Sequence, residues 1–290
     1  MKRFSENGTL LLVVSSVFFT AMALLARRAM CDLPPAEVTF FRSAIGAVIC
    51  AASFAAGAAS LELKRPPMLV LRALLGGIAI FLYFKTMGVL GAGEATLLNN
   101  TFVVFVAILS PLILKERFSW RLGAVVAVAF FGVALLIRAD MSGGIAGKLF
   151  GLAGALFTAL AVLTIRNLRR DHGTLTVFFF FSLGGMATPL STFGDGWTVP
   201  GVWTGAILVL MGLCAAAGQL LFTHSLRFSR AIESSVFSQL TVVWTYAAEI
   251  ALWDVRLSVL TGIGALTVLA ACTYLGAAFE REGPPHGPVV

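Results

Sequence analysis

The residues of this chain that could do chemistry are charged side chains inside or beside long apolar segments. Arg42 and Lys85 lie within such segments, and Glu94 and Glu249 lie at about the same predicted depth. A charge near the bilayer centre costs roughly 2.5–3.5 kcal/mol on insertion scales, so such residues mark solute or ion pathways. We expect these four to form a cluster that gates a cavity or holds an ionic solute. Snorkelling side chains and a structural ion pair are the alternative.

Two polar stripes at helical spacing carry amides and hydroxyls. An amide facing lipid would lack a partner, at a cost of order 1–3 kcal/mol, so both stripes are predicted to face inward. They either line a central cavity or supply hydrogen bonds between helices. Their polar members are Thr96, Asn99, Asn100 and Ser110 in the first half, and Ser235, Ser238, Gln239, Tyr246 and Glu249 in the second.

The remaining candidates are aromatic residues within the spans and polar residues near one span end. Tyr83 and Trp244 are candidate cavity-wall residues, although core packing is the preferred interpretation for each residue alone. Gln219, His224 and Glu233 are predicted to mirror the first charge cluster on the opposite side of the membrane, and His224 is a candidate proton carrier or an interfacial residue. The predicted substrate-binding set is Arg42, Tyr83, Lys85, Asn99, Asn100, Gln219, Ser238, Gln239 and Trp244, and the predicted gating or ion-pair set is Glu94, His224, Glu233 and Glu249.

No enzyme motif accompanies these residues. The 4 Cys and 3 His have no metal-ligand spacing, and the chain contains no nucleophile elbow, P-loop or dinucleotide fingerprint. We therefore predict a protein that is not an enzyme and that uses no metal or cofactor.

The elements that must position the polar residues are membrane helices. Hydrophobic residues make up 59% of the chain and charged residues 12%, against about 25% charge in a soluble domain. A bilayer core of about 30 Å needs roughly 20 apolar residues per helix. On that criterion ten spans are predicted, at 10–30, 35–57, 68–90, 93–114, 120–138, 148–168, 174–193, 202–226, 231–252 and 257–278.

The two halves of the chain resemble each other in sequence. FTAMALLARR (19–28) matches FTALAVLTIR (157–166), and FFRSAIG (40–46) and AGEATLLNN (92–100) have counterparts at a nearly constant offset. Five predicted spans per copy is an odd number, so the copies are expected to be inverted relative to each other. We predict repeats at 1–139 and 140–279, followed by a disordered cytoplasmic tail at 280–290.

The distribution of basic residues predicts the orientation. With the N-terminus in the cytoplasm, most of the 21 Lys and Arg residues fall on the cytoplasmic side, as membrane proteins require. The net charge of +7 then reflects topology and not nucleic-acid binding. A retained first helix is preferred to a cleaved signal peptide, because its sequence recurs within the chain.

The sequence resembles the EamA-type branch of the drug/metabolite transporter superfamily over nearly its whole length. The resemblance rests on FFRSAIG, on the arginine that opens LRALLGGIAIFLYFKTM (71–87), on the segment from Glu94 to Leu136, and on GQLLFTHSLRFSRA (218–231). The chain departs from the family pattern at Ala248–Glu249, where a proline is often seen, and at Trp253–Asp254. The resemblance implies ten helices, cytoplasmic termini and a cavity between the repeats.

The predicted function is secondary transport of a small organic metabolite by alternating access in a bacterial inner membrane. Arg42 and Lys85 favour a carboxylate-bearing solute such as an amino acid, moved by export or exchange. A membrane-embedded lipid-modifying enzyme and a passive channel are the alternatives. Lipid and solute are the expected partners, nucleic acid is excluded, and the residues do not distinguish a monomer from a homodimer.

Overall fold

The computed structural model describes residues 8–114, single positions between 124 and 135, and residues 144–192, 197–227, 237–253 and 258–281. Within these residues the fold is all-α. In chain order the helices are α1 (Gly8–Ala29), α2 (Pro35–Ala55), α3 (Pro66–Leu90), α4 (Ala92–Asn100), α5 (Phe102–Leu114), α6 (Gly144–Leu168), α7 (Thr174–Ala187), a 3₁₀ turn (Thr188–Thr192), α8 (Val202–Ser225), α9 (Leu240–Trp253) and α10 (Val259–Arg281).

Seven stretches of the described chain are long and apolar enough to cross a membrane. They are Leu10–Ala29, Pro35–Ala55, Pro66–Leu90, Ala92–Leu109, Gly144–Leu168, Thr174–Thr192 and Val202–Ser225, and Leu240–Trp253 and Gly262–Ala271 are shorter apolar helices. Nine of the ten predicted spans therefore coincide with described apolar helices. The predicted fifth span, 120–138, falls largely outside the described residues, as does most of the predicted tail.

Local sequence accounts for where these helices begin and turn. Prolines occupy the first turns of α2 and α3, where the missing backbone N–H has no helical partner to lose. Gly91 separates α3 from α4 with a φ of 88°, which an L side chain rarely adopts. This glycine lets α4 start immediately after α3 and sets the level of its first turn.

Two helix pairs cross between the halves of the chain in an antiparallel sense. Ser15 Oγ donates to the Gly218 carbonyl at 3.0 Å, and near the other end Thr204 Oγ1 donates to Asp32 at 2.7 Å. This pairs α1 with α8. In the same way α6 packs antiparallel to α3, because Gly147 lies against Leu90 and Gly154 lies against Leu82.

Two pairs of helices that match each other in the sequence repeat also contact each other. Gly46 on α2 lies against Ser182 on α7, and Gly185 lies against Ser43, so α2 and α7 run in opposite directions. Helices α4 and α9 likewise run in opposite directions, because Gln239 contacts the end of α4 and Glu249 contacts its start.

Connecting segments of the two halves meet at both ends of the bundle. At the end where α1 finishes, Glu37 accepts a hydrogen bond from Thr198 N at 2.7 Å. At the opposite end, Glu62 accepts one from Gly173 N at 2.8 Å, and Arg65 pairs with Asp171 at 3.2 Å. These contacts tie the halves together at both surfaces around the polar interior.

Candidate functional site: a central cavity

A cavity of about 140 Å³ lies at the centre of the bundle. Described residues of α1 to α9 line it. Its polar and aromatic lining residues are Phe19, Arg42, Arg72, Tyr83, Thr96, Asn99, Asn100, Phe102, Thr158, Phe181, Gln219, Phe222, Ser238 and Thr241.

One wall of the cavity carries two buried arginines, Arg42 on α2 and Arg72 on α3, which are 3% and 2% exposed. The guanidinium carbons of Arg42 and Arg72 lie 5.0 and 4.4 Å from the centre of the same Phe181 ring. Gly76, one turn after Arg72, makes this arrangement possible, because a side chain there would collide with Arg72 and Phe181. We call Arg42, Arg72 and Phe181 the arginine wall.

A second wall carries amides and hydroxyls. Thr158 Oγ1 donates to the Asn99 side chain at 3.0 Å, and Ser238 Oγ donates to that of Asn100 at 3.2 Å. Gln239 Nε2 donates to the Asn100 carbonyl at 3.0 Å. These bonds join the two predicted polar stripes inside the bundle, and we call these five residues the amide wall.

The helices are interrupted where the two stripes meet. Helix α4 ends at Asn100 and α5 begins at Phe102, and a turn at Gln239 separates residues 237–238 from α9. Interrupted helices at matching positions of two repeats are typical of transporter binding sites, because the freed backbone groups face the cavity. Here the Asn100 carbonyl is held by Gln239.

A carboxylate closes the bundle beyond the cavity, at the end where α1 finishes. Glu249 on α9 is 3% exposed, forms an ion pair with Arg27 and accepts hydrogen bonds from Ala92 N at 3.1 Å and Gly93 N at 2.6 Å. The first amides of a helix have no helical partner and favour negative charge. Arg27 also lies over the Trp253 ring at 4.5 Å. We call Arg27, Glu249 and the start of α4 the closing cluster.

A hydroxyl pair lies between the cavity and the closing cluster. Tyr83 and Thr96 are both buried, and their side-chain oxygens are 2.9 Å apart. Since both residues line the cavity, this bond ties α3 to α4 at the cavity roof.

The structure brings together six of the predicted substrate-binding residues, Arg42, Tyr83, Asn99, Asn100, Gln219 and Ser238, in the cavity lining. Gln239 is buried beside them. Lys85 and Trp244 lie outside the lining, because Lys85 is exposed on α3 with its ammonium over the Phe150 ring at 4.5 Å, and Trp244 is 47% exposed.

The predicted gating residues do not all lie at one place. Glu249 pairs with Arg27 and not with Arg42 or Lys85. Glu94 is half-buried in the first turn of α4. His224 lies near the opposite end, with Nδ1 3.4 Å from Thr174 Oγ1, and Glu233 falls outside the described residues. The predicted four-residue charge cluster is therefore replaced by two separate groups, the arginine wall and the closing cluster.

Sequence reasoning missed two arginines of these groups. Arg72 is not among the predicted site residues, although it lies six residues inside a helix that begins at Pro66. Arg27, in the last turn of α1, is not among the predicted site residues either. The available signal for Arg72 was the one used for Arg42, a charge within an apolar segment. Arg27 had no comparable signal, because its partner lies 222 residues away.

Among the described residues, no group of three or more His, Cys, Asp or Glu is placed to hold a metal ion. The model of the EamA-like transporter family matches the chain twice, at residues 6–138 and 145–276. The chain belongs to this family. It is therefore a multi-pass membrane transporter and not an enzyme.

Individual relatives agree with this assignment. The chain is 26% identical over 274 residues to the pseudopaline exporter CntI of Pseudomonas aeruginosa, with 93% of this chain and 96% of that protein covered. It is 24% identical over 230 residues to human solute carrier family 35 member G1, covering 73% of this chain and 62% of the relative. A solved crystal structure superposes with a TM-score of 0.71 over 96% of this chain and 99% of that one, at 18% identity, which supports the fold alone.

Proposed function

We propose that this transporter moves a small carboxylate-bearing organic solute through the central cavity by alternating access. The observation that carries the proposal is the arginine wall. Arg42 and Arg72 are buried in the cavity lining without a carboxylate among the described lining residues. Arginine binds carboxylates through paired hydrogen bonds, and the amide wall offers donors and acceptors for the uncharged part of a solute.

Two inverted five-helix repeats, 1–139 and 140–279, would supply the moving parts. The proposal is supported by the double match to the family model and by the antiparallel contacts of α2 with α7 and of α4 with α9. Antiparallel contact between equivalent helices is what a twofold axis in the membrane plane produces. Rocking of one repeat against the other would then expose the cavity to each side in turn.

The closing cluster would act as the gate at one end of the pathway. Glu249 comes from the second repeat, whereas Arg27, Ala92 and Gly93 come from the first. An opening at this end must therefore separate Glu249 from its partners. Of the predicted gating residues, Glu249 has the contacts that this role requires.

The proposed orientation follows the positive-inside rule, with both termini in the cytoplasm of a bacterial cell and ten membrane helices. The gate of the closing cluster then faces the outside. We propose export or exchange as the direction, and a relative that is a named exporter supports this choice.

Counterflow into liposomes tests the proposal. Purified protein is reconstituted with an excess of unlabelled solute inside, and uptake of labelled amino acids, nucleosides and S-adenosylmethionine is followed. A transporter that alternates access accumulates a carboxylate-bearing solute transiently and saturably. Linear uptake without counterflow would indicate a channel, and counterflow restricted to solutes without an anionic group would contradict the proposed solute class.

A further inference from the structure

We infer that the solute carries two negative charges, so that the transporter selects organic dianions over monoanions. The inference rests on the proposed function, because it names the class of solute that the same cavity takes. It follows from the charge, burial and convergence of Arg42 and Arg72.

The described lining of the cavity carries two formal positive charges and no formal negative charge. The positive charges belong to Arg42 and Arg72. The Arg42 Nε donates only to the sulfur of Met22, at 3.5 Å, and the buried Arg72 Nε has no hydrogen-bond partner. Neither guanidinium group takes part in an ion pair within the described residues. Buried polar groups are normally hydrogen-bonded, so the unused donors of the arginine wall point to a ligand.

The protein's own contacts compensate these charges only in part. A cation over an aromatic face gains about 2 kcal/mol or more when desolvated, whereas an arginine in the membrane interior costs roughly 2.5–3.5 kcal/mol even on insertion scales. Here one ring, that of Phe181, serves two cations. A monoanion would leave one excess positive charge in the cavity, and a dianion would leave none.

The geometry suits two anionic groups or one doubly charged group. Because Arg42 and Arg72 lie 5.0 and 4.4 Å from the same ring and both line the cavity, we infer that one solute contacts both guanidinium groups. Guanidinium groups bind carboxylate and phosphate oxygens with the same paired hydrogen bonds. Dicarboxylates and phosphate monoesters therefore share the required chemistry, and the experiment must separate them.

The amide wall explains why the whole solute need not be charged. Asn99, Asn100, Thr158 and Ser238 are neutral groups that donate and accept hydrogen bonds. They suit hydroxyl, amide or amino groups on the remainder of the solute.

The dissociation constant of each compound for the purified full-length protein in nanodiscs, measured directly for matched pairs, tests the inference. Glutamate is compared with glutamine, succinate with its monoamide, and glycerol 3-phosphate with glycerol 3-sulfate. We expect the more highly charged member of at least one pair to bind about tenfold tighter or more, since each charge-assisted hydrogen bond is strong in a dry site. The first two pairs report a dicarboxylate and the third a phosphate ester.

Variants of the two arginines show whether the preference for dianions depends on the arginine wall. Arg42→Gln and Arg72→Gln should each reduce the preference to about threefold or less, with little change for the less charged member. Lys64→Gln removes an exposed cation outside the cavity and should keep the full preference. Arg42→Lys and Arg72→Lys keep the charge and part of the preference, which controls for a purely structural role.

Each outcome bears on the inference separately from the proposed function. Equal binding within every pair, or no binding of any dianion, overturns the selectivity, and the wild-type protein alone gives this answer if a variant does not fold. Counterflow of a monocarboxylate in the same preparation would leave the proposed function standing. If the wild-type protein shows counterflow of no solute, both the proposed function and the inference are contradicted.

Discussion

The closing cluster and the arginine wall differ in whether the protein itself compensates a buried charge. In the closing cluster, Arg27 and Glu249 neutralise each other, and two helix amides bind the carboxylate. In the arginine wall, Arg42 and Arg72 have an aromatic ring and a thioether but no carboxylate among the described residues. A buried charge that the protein compensates itself holds the helices together, and one that it leaves uncompensated is available to a ligand.

The two halves of the chain also contribute different charged residues to these two regions. Both cavity arginines come from the first half, and the residues 139 positions later are Phe181 and Met211, which are apolar and buried. Glu249 comes from the second half, where the matching position of the first half is Ser110. In the proposed function, the first half therefore supplies the cations that bind the solute and the second half supplies the carboxylate of the gate.

Supplying the arginine wall with its own carboxylate should have the largest effect. Arg72→Glu places an acid beside Arg42, so the cavity becomes internally neutral like the closing cluster. We expect anion binding and transport to fall by about 100-fold or more, because a ligand must now displace an internal ion pair. The measurement is counterflow with the best solute, and the melting temperature in detergent reports folding.

Arg72→Gln is the matched variant, because it removes the cation without adding an acid. We expect a smaller loss than for Arg72→Glu. Equal activity of Arg72→Glu and the wild-type protein would show that the arginine wall does not bind the solute.

Removing the carboxylate from the closing cluster is the opposite of adding one to the arginine wall, because it leaves a half-buried cation uncompensated. Glu249→Gln leaves Arg27 without its partner and weakens the two bonds from the start of α4. A hydrogen bond to a charged group contributes about 1.5–3 kcal/mol, and we expect the closed state to lose about that much. Impermeant maleimide labelling of an Ala79→Cys probe in the cavity, in a background without native cysteines, should become about tenfold faster from the side of the closing cluster.

The control for this variant is Arg28→Gln at the same end of the bundle. Arg28 and Asp32 form an exposed pair at 3.5 Å, with both side chains more than 40% exposed, and such pairs contribute about 0–1 kcal/mol. Labelling in this variant should stay near the wild-type rate. An unchanged rate in Glu249→Gln would exclude Glu249 as a gate.

A methyl group at Gly76 should have a smaller, local effect on the arginine wall. The new Cβ would collide with the Arg72 guanidinium and with Phe181, and inserting a methyl into a packed site costs about 1–3 kcal/mol. We expect Gly76→Ala to weaken solute binding about tenfold through displacement of Arg72. Gly205→Ala on α8 meets open space and should bind normally. Equal binding by the two variants would show that the position of Arg72 is not critical.

Much of the fold could be predicted from the sequence, because helix length and apolar character are local properties. The inward direction of Asn100 and Gln239 was also predictable, since lipid offers amides no partner. The ion-pair partners of the charged side chains could not be predicted. Lys85 lies in an apolar segment, which predicts a buried cation, but its four-carbon side chain carries the ammonium to an exposed position over Phe150. The pairing of Arg27 with Glu249 depends on how α1 and α9 pack, which no local pattern encodes.

The hydroxyl pair between the two regions provides the smallest test. Tyr83→Phe removes the 2.9 Å bond to Thr96 and leaves the ring in the cavity wall. A neutral hydrogen bond contributes about 0.5–1.5 kcal/mol, so we expect a loss of solute affinity of about two- to tenfold. If Tyr83 serves only the cavity roof, Thr96→Val should reproduce the effect and the double variant should add little. An additive double variant would show that the Tyr83 hydroxyl also contacts the solute, which would extend the binding surface from the arginine wall toward the closing cluster.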